Sequence, residues 1–127
     1  MTSLLFDRLT QAAADAYGAS GNAAAAAFAD ELRGLAGAIP NDLPRNLVPG
    51  CRHLDAACDR APAPLAELAG AIQAAVPLLD WREAPGDSLP DGFAGNHAYV
   101  ELAGPDGHLP ASDFRCGIYL QAPGIFY

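Results

Sequence analysis

The first part of the chain carries apolar residues at the three- and four-residue spacing that is typical of amphipathic helices. This spacing predicts helices over residues 2–17, 22–35 and 64–76. Asn22 is the predicted N-cap of the second helix, and Pro64 falls in the first turn of the third, a position that suits proline. Three prolines predict a loop over residues 40–50, and residues 51–58 are predicted to form a short helix.

In the last third of the chain apolar residues recur at every second position, a period of two that indicates strands. We predict strands over residues 78–83, 93–102 and 113–127, separated by segments rich in glycine and proline. The polar faces of the last two carry, in order along the chain, His97, Tyr99, Glu101, Arg115, Tyr119 and Gln121. Pairing of these two strands through residues 104–112 predicts a cross-strand ion pair between Glu101 and Arg115.

The change of period divides the chain into a helical region, residues 1–77, and a β region, residues 78–127. The predicted class is therefore α+β, with helices first and strands after them. Two or three strands cannot close a barrel, so we expect both edges of the sheet to be open.

Composition narrows the classes of function. The chain of 127 residues is 51% hydrophobic and has a formal net charge of -8 with a pI near 4.5. Such an acidic chain is repelled by nucleic acid and by anionic lipid, so neither is an expected partner. The N-terminus lacks a basic region followed by an apolar run, and no uninterrupted apolar stretch is long enough to cross a bilayer. The predicted location is the cytoplasm.

Side chains able to do chemistry are sparse. The three histidines, His53, His97 and His108, form no HxH or HExxH motif. His108 lies in a predicted turn, where we expect it to be solvated, and His97 is interpreted as a structural or pocket residue. Trp81 is more typical of a core than of a pocket. Tyr127 is a poor base unless a cation stabilises its phenolate, because the pKa of tyrosine is near 10 in water.

The order and spacing of four segments in the β region resemble those of the cupin-type dimethylsulfoniopropionate (DMSP) lyases. These segments are Trp81-Arg82, Asn96-His-Ala-Tyr-Val-Glu-Leu102, Gly104-Pro-Asp-Gly107 and 113–127. A looser similarity includes the helices before them and Cys51-Arg-His-Leu54. The resemblance implies helices followed by the first strands of a cupin barrel, left incomplete in this chain. It also implies cleavage of DMSP to dimethyl sulfide and acrylate.

The resemblance further implies roles for single residues. Tyr127 corresponds to a family tyrosine at the substrate site and is the candidate catalytic residue, while Tyr119 and Trp81 are candidates for the substrate pocket. The family's divalent transition metal, here Zn, Fe or Mn, is held by His and Glu side chains that would follow Tyr127. No metal ligand is therefore assigned within this chain, which alone is expected to bind no metal and to be inactive.

The expected partners are a small sulfonium substrate, the remaining half of the barrel (in the same polypeptide or as a separate chain) and a second copy in a homodimer. Two other classes of function remain open on the sequence. One is another metal cupin, a dioxygenase or an isomerase, and the other is a non-enzymatic helical interaction module. An HxH motif followed by Glu and Tyr in the codons after Tyr127 would favour the lyase.

Overall fold

The computed structural model describes residues 2–85 and 89–125, with the side chains of residues 2 and 3 left out. The chain divides into two compact units. One consists of Met1–Pro40 and Cys58–Val76, and the other of Asn41–Ala57 and Pro77–Tyr127. Residues 41–57 thus belong with the strands, whereas the sequence pattern alone placed the division at residue 77. None of the helices in the described ranges is both long enough and apolar enough to span a membrane.

The first unit is built from α1 (Thr2–Gly18), α2 (Ala23–Arg33) and α4 (Ala66–Ala75). α1 packs against both of the others. Its buried side chains include Phe6 and Leu9, and α2 contributes Leu32. The predicted cap of α2 is confirmed, because Asn22 Oδ1 accepts a hydrogen bond of 3.0 Å from the amide of Ala25. A 3-10 turn, Ala63–Leu65, leads into α4.

The predicted short helix after residue 50 is also present. It is a 3-10 helix, Pro49–His53, followed by α3 (Leu54–Asp59). The 3-10 helix packs against the sheet of the second unit. Gly50 makes this approach possible, since a Cβ at that position would lie 2.0 Å from the carbonyl oxygen of His97.

The sheet of the second unit contains β1 (His97–Gly104), β2 (Leu109–Pro110) and β3 (Cys116–Gln121) in the order β2-β1-β3. β1 and β3 are antiparallel, and β1 and β2 are parallel. The apolar face is buried through Ala98, Val100 and Leu120. Strands are therefore confirmed within the predicted ranges 93–102 and 113–127, but β1 begins later and extends to Gly104, and β3 is shorter than predicted. The last two residues of the second range lie outside the described residues. The register places Tyr99 directly opposite Tyr119.

The prediction of a strand over residues 78–83 was wrong. The helical turn continues as a 3-10 helix, Val76–Leu78, and the segment after it makes only two isolated bridges, Asn46 with Asp80 and Arg82 with Tyr99. Each bridge pairs with a different neighbour, and the amide of Asp80 donates to a side chain, so no continuous ladder forms. The predicted α+β class is confirmed, and the barrel is not closed within the described residues.

Candidate functional site

An open cleft of about 660 Å³ lies on the second unit. Its walls come from the loop at Asn41, the segment around Asp80 and Arg82, the exposed face of β1 and the turn before β2. Three carboxylates, Asp80, Glu101 and Asp106, line it together with two guanidinium groups, Arg82 and Arg115. The carboxylates outnumber the cations, so the cleft favours a ligand that carries a positive charge.

Asp80 and His108 form the inner part of this cleft. The Asp80 side chain is only 6% exposed, and its Oδ2 accepts hydrogen bonds from Arg82 Nη2 at 2.8 Å and Nε at 3.1 Å. The amide of Asp80 donates to His108 Nε2 at 2.9 Å, which requires that ring nitrogen to be unprotonated. Burial lowers the pKa of His108, an effect that the Asp80 carboxylate partly opposes. Asp80 in turn raises the pKa of Arg82.

A second group of charges holds the turn between β1 and β2. Arg115 Nη1 lies 3.0 Å from Glu101 Oε1, and the other oxygen of that carboxylate accepts the amide of Asp106 at 2.8 Å. The predicted ion pair between Glu101 and Arg115 is therefore confirmed. Arg115 Nη1 also lies 3.8 Å from Asp106 Oδ2, so one guanidinium group forms ion pairs with the carboxylates of both Glu101 and Asp106.

Tyr99 and Tyr119 form an exposed aromatic pair beside these charges. They are 37% and 54% exposed and lie opposite each other on β1 and β3. Tyr99 lines the cleft, and both tyrosines line a shallower depression of about 340 Å³ next to it. The ring of His97 lies behind Tyr119, with a centroid separation of 6.4 Å. Exposed aromatic faces beside carboxylates can bind a small organic cation.

The three predicted site residues differ in their surroundings. Tyr119 lies on the open face. Trp81 is fully buried, lines neither depression, and its indole Nε1 has no hydrogen-bond partner in the described part of the chain. Tyr127 lies outside the described residues. The roles of all three stay predictions.

The expectation that His108 is solvated was wrong, because this residue is only 2% exposed. The loop at Asn41 covers it. The amide of Asn41 donates to the carbonyl of His108 at 2.7 Å, and its side-chain amide donates to the carbonyl of Gly107 at 2.8 Å. His97 is also buried, with Nε2 accepting the amide of Ala84 and Nδ1 bonded to the carbonyl of Phe93. This agrees with a structural role for His97.

Sequence reasoning missed Asn41, Asp80 and Arg82 as members of the cleft. A signal for Arg82 existed, because it follows the only tryptophan in a segment that resembles the family. Asp80 looked like any solvated acid. Asn41 carries no local signal, since its partners are more than sixty residues away.

Within residues 2–85 and 89–125, no three His, Cys, Asp or Glu side chains come together in a group able to hold a metal ion. The described residues alone therefore offer no site for the metal that the resemblance implies. What the cleft offers is a set of fixed charges, a neutral imidazole and an aromatic wall. These groups can bind and orient a small zwitterion.

Comparison with known proteins gives two matches. The sequence profile of the DMSP lyase family matches residues 17–127. The structure also matches a solved chain from the crystal structures of the DMSP lyases RdDddP and RnDddQII, with a TM-score of 0.69 and 23% sequence identity. A search of curated proteins found no match.

At this level of identity the structural match establishes the fold. It covers 98% of this chain and 62% of the solved chain, so the chain spans less than two thirds of the length of that relative. The described helices and sheet therefore share the fold of the corresponding part of that chain.

Proposed function

We propose that this chain, which belongs to the DMSP lyase family, forms the helical part and first strands of a metal-dependent cupin lyase that cleaves DMSP. The observation that carries this proposal is the family match over residues 17–127. The fold shared with the solved chain and the cleft with surplus carboxylates support it.

The proposed reaction is an elimination. A base takes the proton from the carbon next to the substrate carboxylate, the electron pair forms the double bond, and the carbon–sulfur bond breaks. Neutral dimethyl sulfide leaves and acrylate remains, so the positive charge of the sulfonium is transferred as a proton to the base. The transition state therefore moves positive charge from sulfur toward the base.

We propose Tyr127 as that base and the open face of β3, through Tyr119, as part of the wall that receives the sulfonium. An aromatic face attracts a sulfonium cation but not neutral dimethyl sulfide, so it holds the substrate and releases the product. Trp81 is the other proposed residue of the substrate pocket, although it is fully buried and lines neither depression. A divalent transition metal, for which the described residues alone offer no site, would supply the Lewis acidity that favours loss of this proton.

We propose further that the ligands of this metal, Zn, Fe or Mn, are supplied by residues beyond this chain, in the same polypeptide or in a separate one. The match to the solved relative supports this, because it covers only 62% of that chain. The substrate is a small sulfonium zwitterion, and a homodimer is a further proposal.

A direct assay tests the function. The polypeptide encoded by the intact gene should release dimethyl sulfide from DMSP, detected by gas chromatography of the headspace, together with an equal amount of acrylate. Dialysis against a chelator should abolish this release, and Zn, Fe or Mn should restore it. The 127-residue chain alone should release none and should retain no stoichiometric metal. An intact-gene product that is inactive with every metal would overturn the proposal.

The role of Tyr127 has its own test. Tyr127→Phe in the active polypeptide should lower kcat by about 100-fold or more, because the general base is lost, and should leave metal content unchanged. The matched control is Tyr17→Phe, which removes one hydroxyl from the helical unit, where Tyr17 packs edge-on against Phe28. Equal turnover in the two variants would remove Tyr127 from the reaction.

A further inference from the structure

Three parts of the chain that resemble the family, residues 51–54, 96–102 and 113–127, meet at one residue, Asn96. Its Oδ1 accepts a hydrogen bond from Arg52 Nη2 at 2.8 Å and another from His53 Nε2 at 3.1 Å. Both donors belong to the 3-10 helix Pro49–His53. The Nδ2 of Asn96 donates to the carbonyl of Gly92 at 2.7 Å. The side chain therefore uses both its acceptor and its donor, which only an amide can do at this position.

The backbone of Asn96 adds two more bonds. Its amide donates to the carbonyl of Phe93 at 3.0 Å, which closes the turn before β1. Its carbonyl accepts the amide of Ala122 at 2.8 Å, and Ala122 is the first residue after β3. Asn96 thus connects the 3-10 helix, the start of β1 and the end of β3.

The segment that leaves β3 is held at two points. Ala122 is bonded to Asn96, and the side chain of Gln121 donates to the carbonyl of Ile125, which closes a turn over residues 122–125. Gly124 has a φ of +77°, a conformation that favours glycine and sets the direction in which the turn continues. Tyr127 is the second residue after Ile125.

We infer that Asn96 is a positioning residue for the lyase reaction: it anchors the segment 122–125, from which the sequence continues to Tyr127. The inference rests on the proposed function of Tyr127. A catalytic base must be held in a narrow geometry, and small displacements of its backbone lower the rate strongly. Asn96 lines neither of the two depressions, so its role is assigned through the segment that it anchors.

Asn96→Ala removes the three side-chain bonds and leaves the backbone carbonyl free to move. Hydrogen exchange of the 127-residue chain should then show protection of the Ala122 amide reduced by about tenfold or more. The amide of Tyr99, which donates to the carbonyl of Arg82 at 2.9 Å, should keep its protection. Equal loss at both amides, or no loss at Ala122, would overturn the anchoring role.

In the active polypeptide, Asn96→Ala should lower kcat by about tenfold or more while KM changes by less than about twofold. The matched control is Asn22→Ala, which removes the hydrogen bond of the Asn22 side chain at the N-cap of α2. It should lower the melting temperature by a similar amount and leave kcat unchanged. If Asn96→Ala only lowers the melting temperature, as the control does, Asn96 is a structural residue and the inference is wrong.

A double variant separates this inference from the proposed function. If Asn96 acts through Tyr127, then Asn96→Ala should change kcat by less than about twofold once Tyr127 is already Phe. Full additivity of the two effects would contradict the inference while leaving the lyase function intact. An inactive wild-type polypeptide would instead refute the proposed function and the catalytic effect assigned to Asn96. The hydrogen-exchange experiment would still test whether Asn96 anchors Ala122.

Discussion

His108 is a histidine whose ring nitrogen serves as a fixed hydrogen-bond acceptor. Because Nε2 receives the amide of Asp80, protonation at that nitrogen would place two N–H groups against each other. Burial adds to this effect and lowers the pKa of His108 below its ordinary value of 6.5. The folded chain therefore resists taking up a proton that the unfolded chain accepts.

This difference predicts an acid-dependent loss of stability. Between pH 6.5 and the lower pKa of the folded state, the unfolded chain binds more protons, so the free energy of unfolding should fall as the pH falls. A single group can give a slope of at most about 1.4 kcal/mol per pH unit. Urea unfolding between pH 5 and pH 8 measures the slope.

The control for this prediction is His108→Gln, whose side-chain oxygen can still accept the amide of Asp80 but does not titrate. This variant should show a flatter profile over the same range. Identical slopes in the two proteins would show that His108 is not the group responsible.

At the level of single residues, local sequence predicted short-range features and missed distant ones. Asn22 was recognised as a cap because its partner is three residues away. His108 was misread because its burial depends on Asn41, which approaches from another part of the chain. No local pattern encodes that contact.

At the scale of elements, the pairing of β1 with β3 follows from alternation. A period of two fixes which residues share a face, and burial of the apolar face restricts the register of pairing. This is why the ion pair between Glu101 and Arg115 could be predicted, with its direct bond of 3.0 Å. The segment 78–83 has a similar apolar pattern but no neighbour along its whole length, so it forms bridges instead of a strand.

The turn between β1 and β2 should depend more on Glu101 than on Arg115. The Arg115 side chain is 64% exposed, so Arg115→Ala should reduce the free energy of unfolding by only about 0.2–1 kcal/mol. Glu101→Ala also leaves the amide of Asp106 without its acceptor, which adds about 1 kcal/mol to the loss.

Glu101→Gln is the matched control, because it removes the charge and keeps an oxygen for the Asp106 amide. Its effect should therefore resemble that of Arg115→Ala. Chemical denaturation of the three variants at one pH gives the comparison. A larger loss in Arg115→Ala than in Glu101→Ala would contradict this account.

At the scale of the whole molecule, composition and period were sufficient for the α+β class, because they depend on averages over many residues. Neither composition nor the spacing of apolar residues predicts that residues 41–57 belong to the β unit. That assignment rests on contacts such as Gly50 against β1, which a pattern of apolar positions does not contain. The candidate cleft is similarly assembled from four separate segments, of which the sequence identified only the strands and their turn.

The burial of Trp81 has an optical consequence for the whole chain. It is the only tryptophan, it is fully buried, and its indole N–H has no partner among the described residues. Indole in such surroundings emits at short wavelength and is shielded from dissolved quenchers. We therefore expect blue-shifted fluorescence that iodide barely reduces, with a red shift when urea unfolds the protein; red emission from the native chain would contradict the burial. Trp81 belongs to the unit that contains the sheet, so its fluorescence would follow the unfolding of that unit. The circular dichroism of the helices would follow the other unit.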